Sequence, residues 1–119
     1  TADKILGSWL VENPGNTHIL VNLASSGNLW ERRAAMVATY TFIKKKQFLD
    51  AFRIAILLLS DGEDLVQKAV GWMLREIGKR DQAQLEAFLE SHLKSMSRTT
   101  LRYAIEHFPE EKKQLYLKK

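Results

Sequence analysis

The sequence predicts an all-α fold, a right-handed layer of antiparallel helix pairs. Three observations predict it. Apolar residues recur at helical spacing along most of the chain, and no segment sustains the period-2 alternation of β-branched residues that a strand needs. Short turns and caps separate the apolar stretches, with only two prolines, Pro14 and Pro109, each after residues able to end a helix. The caps also recur: Asn28, Asp64 and Ser97 stand 36 and 33 residues apart, with Leu29-Trp30-Glu31-Arg32 and Leu65-Val66-Gln67-Lys68 following the first two in register.

Asp3 to Val11 reads as a short helix, with Trp9 beside Leu6 and Leu10 in its core face, ended by Asn13-Pro14-Gly15. Asn13 caps a second helix that takes Pro14 as its first residue and runs to Ala24. After Ser25-Ser26-Gly27, Asn28 caps a third, with Glu31 placed for a capping box, reaching about Lys44. The cations Lys44-Lys45-Lys46 then complement a helix C-terminus. Gln47 to Ser60 is apolar almost all round, which predicts burial between neighbours on several sides. Asp61-Gly62-Glu63-Asp64 reads as a turn and cap, since it lacks the ligand spacing of a calcium loop. Asp64 to Lys79 is the organising helix. Asp81 caps Gln82 to His92, Ser97 caps Arg98 to Phe108, and Pro109 opens a polar tail helix that ends at Lys119. Helix pairs recurring at this interval indicate a solenoid of the HEAT or armadillo kind, each pair burying its face against its neighbours. A compact, non-repetitive bundle is the alternative.

A chain of 119 residues, 45% apolar, is one domain or a piece of one. It opens at Thr1 without an initiator Met, which suggests a processed or truncated product. The absence of cysteine excludes disulfide scaffolds and cysteine zinc sites and suits a reducing, cytoplasmic setting. No run approaches the ~20 apolar residues of a membrane span. A formal charge of +4 permits nucleic acid without demanding it.

Two helices carry residues out of place. Wound at about 100° per residue, Asp64–Lys79 puts Val66, Ala69, Val70, Met73, Leu74 and Ile77 on one arc. Lys68, Trp72, Arg75 and Lys79 fall on another. An indole among cations suits an anionic ligand that also offers a flat surface, such as nucleic acid. Packing of Trp72 into a seam between helices, with the cations merely solvated, explains the same pattern. On the third helix Arg33 is ringed by Leu29, Met36, Val37 and Tyr40, while Arg32 lies among less crowded positions. A poorly hydrated arginine needs a partner, either an internal carboxylate or an external phosphate gripped by two hydrogen bonds. In a repeat array Arg33 and the Lys68/Trp72/Arg75/Lys79 arc would face one groove. His18, His92 and His107 fall at no metal spacing, Arg98 and Arg102 read as a solvated face, and no nucleophilic triad or phosphate loop is present.

At Leu29-Trp30-Glu31-Arg32-Arg33-Ala34-Ala35 and Gln67-Lys68-Ala69-Val70-Gly71-Trp72-Met73-Leu74-Arg75-Glu76 the chain resembles the DNA alkylation repair (AlkD-like) family, from about Thr1 to Phe108. The resemblance implies a HEAT-like α-solenoid, of which residues 1–119 would be the C-terminal portion. It also implies DNA glycosylase activity: hydrolysis of the N-glycosidic bond of purines alkylated at N3 or N7 in duplex DNA, with no cofactor or metal. By motif position Arg33 matches the arginine of the family's cleft, Trp72 the aromatic that packs against the backbone beside the lesion, and Arg75 the nearby basic residue of the same motif. Arg33 and Trp72 are thus the catalytic candidates, and Arg33, Lys68, Trp72, Arg75 and Lys79 the DNA-binding ones. The family's tryptophan and aspartate motif would lie upstream of Thr1, and Asp3 does not take its place, so the chain alone is expected to be inactive. The protein is expected to be a monomer. A non-catalytic DNA binder of the same fold, or a scaffold whose basic groove takes an acidic peptide, are the alternatives.

Overall fold

The computed structural model describes residues 2–118, with side chains from Lys4 onward, as an all-helical slab of 41 × 29 × 23 Å. Its helices are α1 (Ala2–Glu12), α2 (His18–Ala24), α3 (Leu29–Ala38), α4 (Tyr40–Lys44), α5 (Leu49–Leu58), α6 (Asp64–Arg80), α7 (Gln82–His92), α8 (Arg98–Ala104) and α9 (Glu110–Leu117). The contacts run in two files. In one, α1 packs on α3, α3 on α6, and α6 on α8. In the other, α2 lies on α5, and Phe52 of α5 stacks on Phe88 of α7 with ring centroids 5.2 Å apart. The files are joined pairwise, α2 to α3, α5 to α6, α7 to α6 and α9 to α8. Between them lies the core, dominated by Met36, Ile43, Ile54, Leu58, Met73, Leu74, Ile77, Leu85 and Leu89, all fully buried. Among the described residues, no helix is long and apolar enough to cross a membrane.

The sequence placed most boundaries well but missed several details. Asn13 does not cap the second helix. Its side chain donates instead to Trp9 O, Pro14–Asn16 form a 3₁₀ turn, and α2 starts only at His18. Asn28 does cap α3, accepting from the backbone N–H groups of Trp30 and Glu31. Glu31, however, accepts from the Ser26 hydroxyl, which in turn accepts from Asn28 N–H, so the capping box is completed through a serine. The third helix breaks at Thr39, whose buried hydroxyl donates to Met36 O at 2.6 Å and tightens the turn. There α1 crosses closely, because a Cβ on Gly7 would stand 2.5 Å from Ala38 O. At the start of α6 the N-cap is Glu63, not Asp64, so successive caps at Asn28, Glu63 and Ser97 stand 35 and 34 residues apart.

Two expectations about burial fail. Helix α5 is not enclosed all round: Ala51, Ile54, Ala55 and Leu58 are buried, while Leu49, Ile56 and Leu57 are exposed, because an outer helix has neighbours on one side only. Trp9, expected in the core, is 44% exposed on the outside of α1. The Lys119 end of the tail helix lies outside the described residues.

Candidate nucleic-acid interface

Helix α6 positions the site. One of its faces carries the core, and the turn before it is tied down by polar contacts that leave the opposite face free. Gln67, 5% exposed, donates to the carbonyls of Leu58, Leu59 and Asp61, which the end of α5 leaves without helical partners. Its amide oxygen accepts from Ser97 and Thr100 on α8, at 2.8 and 2.5 Å. This knot fixes α5, α6 and α8 at one end. Further along, Gly71 lets α8 close on α6, since a Cβ there would stand 2.7 Å from Thr100 O.

Beside that contact opens a hollow of about 240 Å³ lined by Arg33, Leu65, Lys68, Ala69, Trp72, Arg75 and Tyr103. Four of the five residues expected to share a groove therefore meet. Trp72 is half-buried: it packs against the core edge and sits 6.4 Å from the Tyr40 ring, while still lining the hollow. It is not sealed in a seam. Lys79 is the exception. It lies one turn beyond Arg75, pairs with Glu76 at 3.0 Å, and lines a separate hollow of about 200 Å³ with Gly78, Gln82, Ala104 and His107. The ion pair of Arg75 with Glu106, just past the end of α8, stands on the α6 turn between them, and Arg75 lines both hollows.

The cations of the larger hollow differ in their partners. Lys68 pairs with Asp64 at 3.0 Å, and burial lowers its pKa less than this carboxylate raises it. Arg75 pairs with Glu106, and its Nε–H is buried with no acceptor. Arg33 has no carboxylate partner among the described residues. The partnered arginine of α3 is its half-buried neighbour Arg32, whose Nε and Nη2 grip Asp61 at 2.6 and 3.3 Å and whose Nη1 donates to Ser26 O. Burial would push the Asp61 carboxyl up. Hydrogen bonds from Arg32 and from Glu63 N–H outweigh it and hold the group below the ordinary carboxylate range. The 100° between the two positions explains the reversal: Arg32 turns toward the α5–α6 turn, Arg33 toward the open hollow.

Sequence reasoning missed other members of this face. Tyr103 completes the wall, brought there by α8. Beyond Trp72, the Tyr40 ring carries Lys44 Nζ at 5.1 Å and the Arg80 guanidinium at 5.7 Å from its centre. Arg80 is held there by Glu76, 8% exposed, which accepts from both Arg80 and Lys79. Burial alone would raise the Glu76 carboxyl, but the two cations lower it. Tyr40 was visible on the helical wheel beside Arg33; Arg80 and Glu106 carried no signal, because their placement depends on which helices meet. Among the described residues, no three His, Asp or Glu side chains gather as a metal site.

Comparison with curated proteins and with solved structures finds no match. The family model described as DNA alkylation repair enzyme does match, over residues 1–108, a span that holds every residue of the hollow, and the chain belongs to that family.

Proposed function

We propose that this chain is the C-terminal portion of a HEAT-like solenoid that binds duplex DNA and serves a glycosylase for purines alkylated at N3 or N7. The observation that carries this reading is the meeting of Arg33, Lys68, Trp72 and Arg75 in one open hollow, with Arg33 paired to no carboxylate among the described residues. The two files of helices and the caps at 35 and 34 residues support the repeat architecture. An alkylated purine is cationic and already a good leaving group. Its departure leaves positive charge on the deoxyribose, so catalysis consists of holding the flanking backbone, stabilising that charge and positioning a water. In this reading Arg33 and Arg75 hold phosphates by bidentate hydrogen bonds, and Trp72 lies against the sugar, where its π-face favours developing positive charge. Lys68 and Lys79 add to backbone binding on either side.

A second reading, DNA binding without chemistry, is favoured by one feature: none of the seven residues lining the hollow is a carboxylate. Base release from N-methylpurine duplex separates the two. Release by a protein that carries this chain, slowed in Arg33→Ala and in Trp72→Ala, establishes the glycosylase. Salt-sensitive duplex binding without release establishes the binder, and negligible binding even at low salt, with capture of an acidic peptide, establishes a scaffold.

A further inference from the structure

Resting on the duplex-binding reading, we infer that Glu106 acts as a built-in stand-in for a DNA phosphate on Arg75, so that this one carboxylate sets how tightly the hollow binds the backbone. Three observations carry it. First, the pair is half made. Arg75 offers five N–H donors in a planar fork, yet one Nη reaches Glu106 Oε2, and Nε–H is buried with no acceptor. In the same molecule Arg32 shows what a finished structural pair is: three of its nitrogens are engaged, two by one carboxylate and one by a backbone carbonyl. Glu106 leaves Nη2 of Arg75 unengaged, and a phosphate presents two oxygens at the separation that lets it bond Nη1 and Nη2 together.

Second, the two partners are unequally held. The Arg75 side chain is 19% exposed, whereas that of Glu106 is 56% exposed, just past the end of α8, where it can swing into solvent. A pair with one such exposed member is readily exchanged. Third, position matters. Arg75 lines both the hollow of Arg33 and Trp72 and the neighbouring one of Lys79 and His107, so its ion pair with Glu106 lies between two cationic surfaces. A phosphate that takes the place of Glu106 brings Arg33, Arg75 and Lys79 to bear on one backbone track, while the displaced carboxylate repels a strand that has not engaged Arg75.

The test is duplex binding by fluorescence anisotropy over a salt series, using a labelled DNA duplex and the 119-residue chain unaltered, as Glu106→Gln, as Arg75→Met, and as the double variant. Glu106 is exposed, and a thermal melt of each protein verifies the fold, with Glu106→Ala as a second variant. Glu106→Gln should bind about threefold or more tightly at low salt, because the phosphate no longer has to displace a carboxylate from Arg75. In the Arg75→Met background the same change should have no such effect. Unchanged or weaker binding by Glu106→Gln, or an equal gain in the Arg75→Met background, overturns the inference while leaving duplex binding intact. No salt-dependent binding by the unaltered chain overturns both.

Discussion

One position separates Gln67 from Lys68 on α6, and one separates Arg32 from Arg33 on α3, yet these neighbours belong to regions of opposite character. On one side lies a closed polar knot. Gln67 satisfies three carbonyls and accepts from two hydroxyls, and Arg32 is saturated by Asp61 and Ser26. On the other lies a hollow whose donors exceed its acceptors, with Arg33 unpartnered among the described residues and Arg75 half engaged. Both regions are polar in sequence, and each draws one arginine from the first motif and a residue or more from the second. What distinguishes structure from function is the balance of donors and acceptors: a region whose balance closes holds the fold, and one that is left open awaits a ligand.

The strongest test of that contrast is Gln67→Leu. It leaves the carbonyls of Leu59 and Asp61 without the amide that satisfies them, removes one of the two donors to Leu58 O and breaks the bonds from the Ser97 and Thr100 hydroxyls, and should cost about 2–4 kcal/mol, lowering the melting midpoint by roughly 10 °C. The salt slope of duplex binding by the folded protein should not change. Arg33→Ala should do the reverse. Its melting curve should stay near that of the unaltered chain, while duplex binding loses about 0.9 in salt slope and base release, in a protein competent for it, falls roughly 10- to 100-fold. A large loss of stability in Arg33→Ala would place it in the closed class and remove it from the site.

Gly71→Ala sits on the border of the two regions. The added methyl must push Thr100 and Tyr103 outward, so it should cost about 1–3 kcal/mol and weaken duplex binding together. The smallest effect is a pH dependence. The Asp61 carboxyl is held below its ordinary value, so its contribution to stability is present above the unfolded value of about 3.9 and is lost as pH falls through the lowered folded one. The stability gap between the unaltered chain and Arg32→Met should therefore be widest near neutral pH and narrow below about pH 4, as read by urea titrations across that range. A gap constant with pH would mean that Asp61 gains nothing from Arg32.

How much of this was legible in the letters follows from how local each signal is. Helical periodicity placed Trp72 away from the aliphatic arc, and the caps at Asn28, Asp81 and Ser97 act within their own turn, so both survive folding. The wheel also set Arg33 apart, but it gave no sign that Arg32 would take an internal carboxylate, because Asp61, its partner, comes from a turn 29 residues away. The same limit explains Lys79, which one turn beyond Arg75 faces a separate hollow walled by residues of other segments, and Leu49, Ile56 and Leu57, whose exposure depends on α5 having an open outer side. A composition rule cannot count neighbours that belong to other segments.

The meeting of α6 and α8 at Gly71 has a mechanical consequence. Backbone rests on backbone there, so the back wall of the hollow behaves like the closed end of a calliper whose jaw cannot widen without breaking the core. Any bulky or misaligned guest then meets the side chains of Arg33, Lys68, Trp72, Arg75 and Tyr103 rather than a wall that gives way. On the duplex-binding reading, the chain gauges what enters by the travel of side chains rather than by flexing of its helices.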